Sequence, residues 1–167
     1  IPANVTQEGP ARLVTYSDGT QVRNFTMGQQ TYDYVFRNRS NSPDISHNGT
    51  PALQTDNAEQ VLKTNQKHMC MNYNSLTGRS IYVNGVVKST ENVATSQSLS
   101  NWDPNYVFAI GNEVTNNRLF MGVVQFVAIH KVALTPEQVL QNFDAGVGEK
   151  FVLNFDVSQV LGQVGST

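Results

Sequence analysis

The order of elements in the last third of the chain constrains its fold most. The sequence there predicts a strand at Tyr106–Ile110, a longer strand at Val123–His130 and then one short helix. Alternate residues of a strand point to opposite sides, and both sets are apolar in Val123–His130. We therefore expect that strand to be covered on both faces, as in a sandwich of two sheets.

The helix is predicted from its start signals. Thr135 supplies an N-cap hydroxyl, Pro136 suits the first helical position, and Gln138 can complete a capping box. An apolar stripe follows and Gly146 is a natural terminator. The stripe consists of Val139, Leu140 and Phe143. We expect a helix of about two turns that covers part of the sandwich.

The first part of the chain predicts a meander of three strands, 12–16, 22–27 and 31–37, with a break at Gly28. In the third strand Tyr32, Tyr34 and Phe36 alternate with more polar residues. This aromatic face either packs in the core, which the pattern favours, or lines a concave surface.

A hairpin is predicted at Asn84-Gly85, because both positions of a type I′ turn need positive φ. Further strands are expected at 61–63, 67–73 and 151–157. Two polar stretches, 38–50 and 89–105, read as long loops, which often carry binding residues. The predicted fold is an all-β, two-sheet antiparallel sandwich with one short helix near the C-terminus.

Composition limits the partners and the class of protein. The 167 residues suit a single domain, and the net charge of −2 comes with scattered Lys and Arg, which argues against nucleic acid binding. No apolar run of about 18 residues predicts a membrane span. The single Cys70 excludes an internal disulfide, and the Asn-, Thr- and Ser-rich composition suggests an exported bacterial surface protein.

Two catalytic or metal patterns are weighed and set aside. Retaining glycosidases need two carboxylates about 5 Å apart, and the strand pattern Glu-x-Asp-x-x-Glu is absent from the sequence. The run His68-Met-Cys-Met71 contains soft copper ligands, but a strand would divide them between two faces. A core strand is the favoured interpretation of that run.

Three segments together resemble the laminin G-like, concanavalin A-like jelly-roll domains of large exported bacterial proteins. They are Arg79-Ser-Ile-Tyr-Val-Asn-Gly-Val86, Gly122–His130 and Ala133-Leu-Thr-Pro-Glu-Gln-Val-Leu-Gln-Asn-Phe-Asp-Ala-Gly146. Residues 9–15 and 23–29 resemble the subgroup that occurs inside multidomain extracellular proteins. The resemblance implies a jelly-roll domain over 1–157 and a tail or linker over 158–167.

The resemblance also implies strands ahead of the part that corresponds to Ile1, so we expect this chain to be a fragment or to be completed by another polypeptide segment. It further implies a calcium ion, which needs six to eight oxygen ligands. Candidate metal ligands are the oxygen-bearing side chains in two turns: Asp18, Asp103, Asn112 and Glu113, with Asn105 as a further donor. Alternatively, Asp18 and Asp103 are ordinary turn residues, and Glu113 pairs with Arg118.

The candidate ligand-binding residues lie in the second loop. Aromatic rings stack on sugar faces while polar side chains bind hydroxyl groups, and this loop offers both. It contains Trp102, Asp103, Asn105 and Tyr106. The alternative is that Trp102 plugs the end of the sandwich.

Two functions follow as hypotheses. The first is a non-catalytic recognition module of an extracellular or cell-surface protein, which binds a glycan or a glycosylated surface with the help of calcium. The second is a structural domain that holds neighbouring domains or subunits together. Fold alone does not choose between them.

Overall fold

The computed structural model describes residues 9–56, 66–91 and 97–147. Within these ranges the chain forms two antiparallel sheets and one helix. The strands are β1 (Ala11–Ser17), β2 (Arg23–Gln30), β3 (Asp33–Asn38), β4 (Leu53–Gln54), β5 (Met69–Asn74), β6 (Gly78–Val83), β7 (Val86–Glu91) and β8 (Val107–Ile110). The larger sheet has the order β4-β3-β2-β1-β8, and the smaller has the order β5-β6-β7. The predicted jelly-roll sandwich is confirmed.

The core lies between the two sheets. Tyr34 and Phe36 of β3 pack with Leu53 of β4 and with Ile81 and Val83 of β6. All five are buried, and Ile81 has no exposed surface. The core interpretation of the aromatic strand is therefore confirmed for Tyr34 and Phe36. Tyr32 lies in the turn before β3 and is exposed.

The predicted hairpin at Asn84-Gly85 joins β6 to β7. Asn84 has φ of 51° and Gly85 has φ of 79°, so both turn positions are left-handed, as a type I′ turn requires. The strand that follows the turn, β7, extends to Glu91. Met69 and Met71 pack against the core, in agreement with the predicted core strand.

Two β-bulges interrupt the ladder between β1 and β2, one between Arg12 and Val14 and one between Tyr16 and Ser17. A bulge adds one residue on one strand and re-aims the side chains that follow. Arg12, Ser17 and Arg23 consequently all reach the same buried carboxylate, that of Glu113. The predicted break at Gly28 is wrong, because β2 continues through it to Gln30.

The helix α1 spans Pro136–Ala145 and begins with the predicted capping box. The Thr135 hydroxyl accepts from the Gln138 N–H at 3.3 Å, and the Gln138 side chain accepts from the Thr135 N–H at 2.9 Å. Val139 is fully buried, whereas Leu140 and Phe143 keep 45% and 36% of their surface exposed. Of the three residues in the predicted apolar stripe, only Val139 is therefore fully buried.

The predicted strand Val123–His130 is wrong for the described structure, in which this segment forms neither strand nor helix. Val123 is 82% exposed and Ile129 is 67% exposed, so these side chains are not covered. An apolar pattern favours a strand but does not supply a neighbour to pair with. The predicted strands 61–63 and 151–157, the domain limit at 157 and the tail 158–167 lie outside the described residues.

Candidate functional site

Four aromatic rings form a cluster at the end of the larger sheet where β3 finishes. We call Tyr16, Phe25, Trp102 and Tyr106 the aromatic corner. The Trp102 ring stacks on Phe25, with centroids 5.8 Å apart and planes 28° apart. Tyr16 meets both Trp102 and Tyr106 edge to face, at 6.4 and 6.5 Å. Trp102 and Tyr106, two of the predicted binding residues, thus pack against aromatic side chains of β1 and β2.

Trp102 is anchored at both ends. Its indole N–H donates to the Arg39 carbonyl at 2.7 Å, while its ring covers Phe25, which packs against the core. For the packed part of the ring, this geometry favours the alternative in which Trp102 closes the end of the sandwich. The residue is nevertheless only half-buried, so part of the Trp102 surface stays open to solvent.

Arg39 lies in the first polar loop and contacts the aromatic corner. Its guanidinium donates to the Tyr106 hydroxyl at 3.2 Å and lies 5.3 Å from the centre of that ring. It also donates to the Asn24 side chain at 3.3 Å and to the Asn101 carbonyl. Arg39 is 5% exposed. A buried cation with these partners fixes Tyr106 and the loop before it, so the site is pre-organised.

Asp103 and Asn105 form a local turn beside the aromatic rings. The Asp103 carboxylate accepts from the backbone N–H of Asn105 at 2.9 Å and from its side-chain amide at 3.0 Å. The Asn24 side chain accepts from the Asp103 backbone N–H at 2.9 Å and donates to the Asp103 carbonyl at 2.7 Å. The turn alternative for Asp103 agrees with this geometry. Asn105 is exposed and presents amide groups to solvent.

Glu113 lies in a buried charge cluster and not in a turn site. Its carboxylate accepts from Arg12 Nε at 3.2 Å, lies 3.6 Å from Arg23 Nη1 and is also bonded by the Ser17 hydroxyl. The Glu113 side chain has no exposed surface. The predicted pairing of Glu113 with Arg118 is replaced by pairing with Arg12 and Arg23, because the two bulges aim both of these arginines at it.

The predicted calcium ligands do not fit a common ion. Glu113 is already neutralised by two arginines, and the Asn112 side-chain oxygen accepts the backbone N–H groups of Glu113 and Arg118, at 2.8 and 2.9 Å. The Asp103 carboxylate serves its own turn, and Asp18 is exposed. Within the ranges that are described, no three His, Cys, Asp or Glu side chains converge on a metal site. Calcium therefore stays a prediction without a ligand set.

Arg12, Arg23 and Arg39 were missed by sequence reasoning. Each is buried, at 7%, 1% and 5% exposure, whereas arginine is rarely buried unless it is paired. The available signal was that Arg12 and Arg23 lie within predicted strands. The two bulges break the period of two, however, so the sequence alone could not place both on one face.

Two further findings concern the remaining candidates. Burial raises the pKa of the Cys70 thiol to about 11, which keeps it protonated and makes it a poor nucleophile or metal ligand. Across the described ranges, no helix has the length and apolarity to cross a bilayer.

Comparison with known proteins gives a match at the level of a protein family. A family model described as the concanavalin A-like lectin/glucanases superfamily matches residues 2–140. Neither a curated protein nor a solved structure matches the chain at a significant level. The match spans both sheets, the aromatic corner and the start of α1.

Proposed function

Since this chain belongs to the concanavalin A-like lectin/glucanases superfamily, we propose that it is a non-catalytic recognition module that binds carbohydrate. The proposal includes a place in a multidomain extracellular or cell-surface protein, with a glycan or glycosylated surface as the ligand. Lectin-type domains of this kind are generally non-catalytic, and the sequence does not contain the Glu-x-Asp-x-x-Glu pattern that places two carboxylates together in related glycosidases.

The aromatic corner is the observation that carries the proposal. Trp102 and Tyr106 are half-buried, so each ring is held by packing while part of it faces solvent. Asn105 offers an exposed amide next to them, and an amide can both donate to and accept from sugar hydroxyl groups. Rigid aromatic surface with a few polar groups suits a ligand with one apolar face and a polar rim.

A glycan binding screen of the full chain tests this function, with Trp102→Ala and Asp103→Ala as site variants. Asn105→Ala is the mildest variant, because the Asn105 side chain bonds only Asp103 in the described structure. Tyr32→Ala is the matched control, since Tyr32 is an exposed aromatic residue at the opposite end of β3.

We expect the site variants to weaken binding and the control to leave it unchanged. Circular dichroism establishes that each variant is folded. Undiminished affinity in a folded Trp102→Ala protein would remove the aromatic corner as the site. Parallel assays with millimolar calcium and with chelator test the calcium prediction separately.

An assembly domain is a second candidate, favoured by one observation. Val123, Ile129 and Val132 are 82%, 67% and 70% exposed, and they lie within ten consecutive residues of the chain. Val107 and Ile110 of the outer strand β8 are also about half exposed, at 54% and 52%. Exposed apolar residues at this density are typical of a surface that a neighbouring polypeptide covers.

Sedimentation of the full chain tests this second candidate. Self-association that Val123→Ser and Ile129→Ser abolish would support an assembly role through this segment. A monodisperse monomer that binds a glycan saturably would favour recognition instead.

A further inference from the structure

A concave pocket of about 160 Å³ lies on the outer face of the larger sheet, away from the smaller sheet. Its lining includes Arg12 from β1, Arg23 from β2, Arg37 from β3 and Arg118 from the segment after β8. We call it the arginine pocket. Its remaining lining residues are uncharged, so the described lining contains no carboxylate.

The register of the sheet explains how the arginines meet. Arg12 of β1 lies opposite Gly28 of β2, and Arg37 of β3 lies opposite Thr26 of β2. The two arginines therefore flank the same part of β2. A Cβ at Gly28 would lie 2.6 Å from the Ala11 carbonyl oxygen and 3.4 Å from Arg12 Nη1. Glycine at this position therefore avoids a clash with the Ala11 backbone, and the Arg12 guanidinium lies directly beside it.

Among the described residues, one carboxylate offsets part of the positive charge of the arginine pocket. Glu113 contacts Arg12 and Arg23, so this single negative charge and the four lining arginines sum to +3 in the described part of the chain. Burial, followed by repulsion from Arg12, lowers the pKa of Arg23 to about 10. Burial likewise lowers the pKa of Arg12 and of Arg37. A negative charge in the pocket would act against both effects and raise these pKa values.

Two donors and one acceptor of the lining stay unsatisfied. Arg23 is 1% exposed, yet its Nε finds no hydrogen-bond partner within the described part of the chain. Arg118 Nε and Asn48 Oδ1 are also buried without a partner there. Buried polar groups are nearly always hydrogen-bonded, so the two arginine N–H donors at this pocket are available to an acceptor group of a ligand.

We propose that the arginine pocket binds the anionic group, carboxylate or sulfate, of an acidic carbohydrate. This inference rests on the proposed function and adds the class of glycan to it. A guanidinium fork matches the two oxygens of a carboxylate or sulfate. The amides of Gln21, Gln30 and Asn48 lie around the arginines and suit sugar hydroxyl groups.

Calorimetric titration of the full chain tests the proposal with glucuronate, inorganic sulfate and glucose as probes at constant ionic strength. Arg118→Gln and Arg37→Gln are the site variants, because neither side chain pairs with Glu113 in the described ion pairs. Arg118→Lys keeps the charge but loses the fork. Lys131→Gln is the matched control, with the same change of charge on the exposed Lys131.

We expect saturable binding of glucuronate or sulfate and no binding of glucose in this pocket. Each glutamine variant should weaken anion binding about tenfold, the loss of one charge-assisted contact, while Lys131→Gln changes it less than about twofold. A glucuronate response without a sulfate response would identify a carboxylate site, and the reverse a sulfate site.

Failure of this inference is distinguishable from failure of the recognition function. Absence of saturable anion binding, or equal affinity in folded Arg118→Gln and Arg37→Gln proteins, would overturn the arginine pocket. Neutral glycans that still bind and still need Trp102 would leave the recognition function in place. Acidic glycan binding that is lost in Arg118→Gln but kept in Trp102→Ala would place the ligand in the arginine pocket alone.

Discussion

Neutralising Glu113 should destabilise the protein more than any other single change of charge described here. In the native state its fully buried carboxylate faces Arg12 and Arg23, whose side chains are 9% and 1% exposed. Glu113→Gln keeps the size of the side chain but leaves two buried cations without a counter-charge. Removal of one partner from a buried ion pair costs about 3–5 kcal/mol, which is a large part of a typical stability of about 5–15 kcal/mol.

Urea unfolding followed by circular dichroism measures this loss, as a lower midpoint at an unchanged slope. Asp44→Asn is the control, because Asp44 is exposed and should change the free energy of unfolding by less than about 0.5 kcal/mol. A loss below about 1 kcal/mol for Glu113→Gln would refute the reasoning.

A second variant isolates the cause of that loss. If uncompensated charge is responsible, Arg12→Met in the Glu113→Gln background should restore part of the stability, because it removes one of the two cations. A further decrease in stability would show instead that packing of the Arg12 side chain matters more than its charge.

Three other predictions concern the scaffold. Gly85→Ala should cost about 1 kcal/mol beyond Gly111→Ala, because both glycines have φ of 79° but only at Gly85 would a Cβ crowd the helix, 2.8 Å from Leu140 Cδ1 and 3.3 Å from the Leu140 Cα; equal midpoints in urea would contradict this. Thr135→Ala should cost about 1 kcal/mol through loss of the helix cap, with faster amide exchange in the first turn of α1; unchanged exchange would count against the cap. Because the pKa of Cys70 is raised to about 11, its folded thiol should react with a disulfide reagent at pH 8 about 100-fold more slowly than in urea, and equal rates would disprove the shift.

Local signals in the sequence predicted local structure well. The Asn84-Gly85 turn and the Thr135 capping box depend on a few neighbouring residues, and both are confirmed in detail. The sandwich itself could also be predicted, because alternating apolar residues in several strands demand two packed sheets. Tyr34 and Phe36 lie where that alternation places them.

Long-range geometry could not be predicted from the same signals. The two bulges in β1 and β2 bring Arg12 and Arg23 to Glu113, about 100 positions away in sequence, and no local pattern encodes that meeting. A strand was expected at Val123–His130 and is not formed there. The apolar pattern of that segment is consistent with a strand, but a strand also needs a neighbouring strand to pair with. Trp102 was found through its residue type alone, whereas its anchor, the Arg39 carbonyl, was not predictable.

The most direct test of the central claim is a binding screen of the full, folded chain against neutral and acidic glycans, repeated with the Trp102→Ala and Tyr32→Ala variants. The recognition function predicts selective, saturable binding of a neutral glycan that Trp102→Ala weakens and Tyr32→Ala preserves. No binding to any glycan by a demonstrably folded sample would contradict it and would favour the assembly function of the exposed apolar segment.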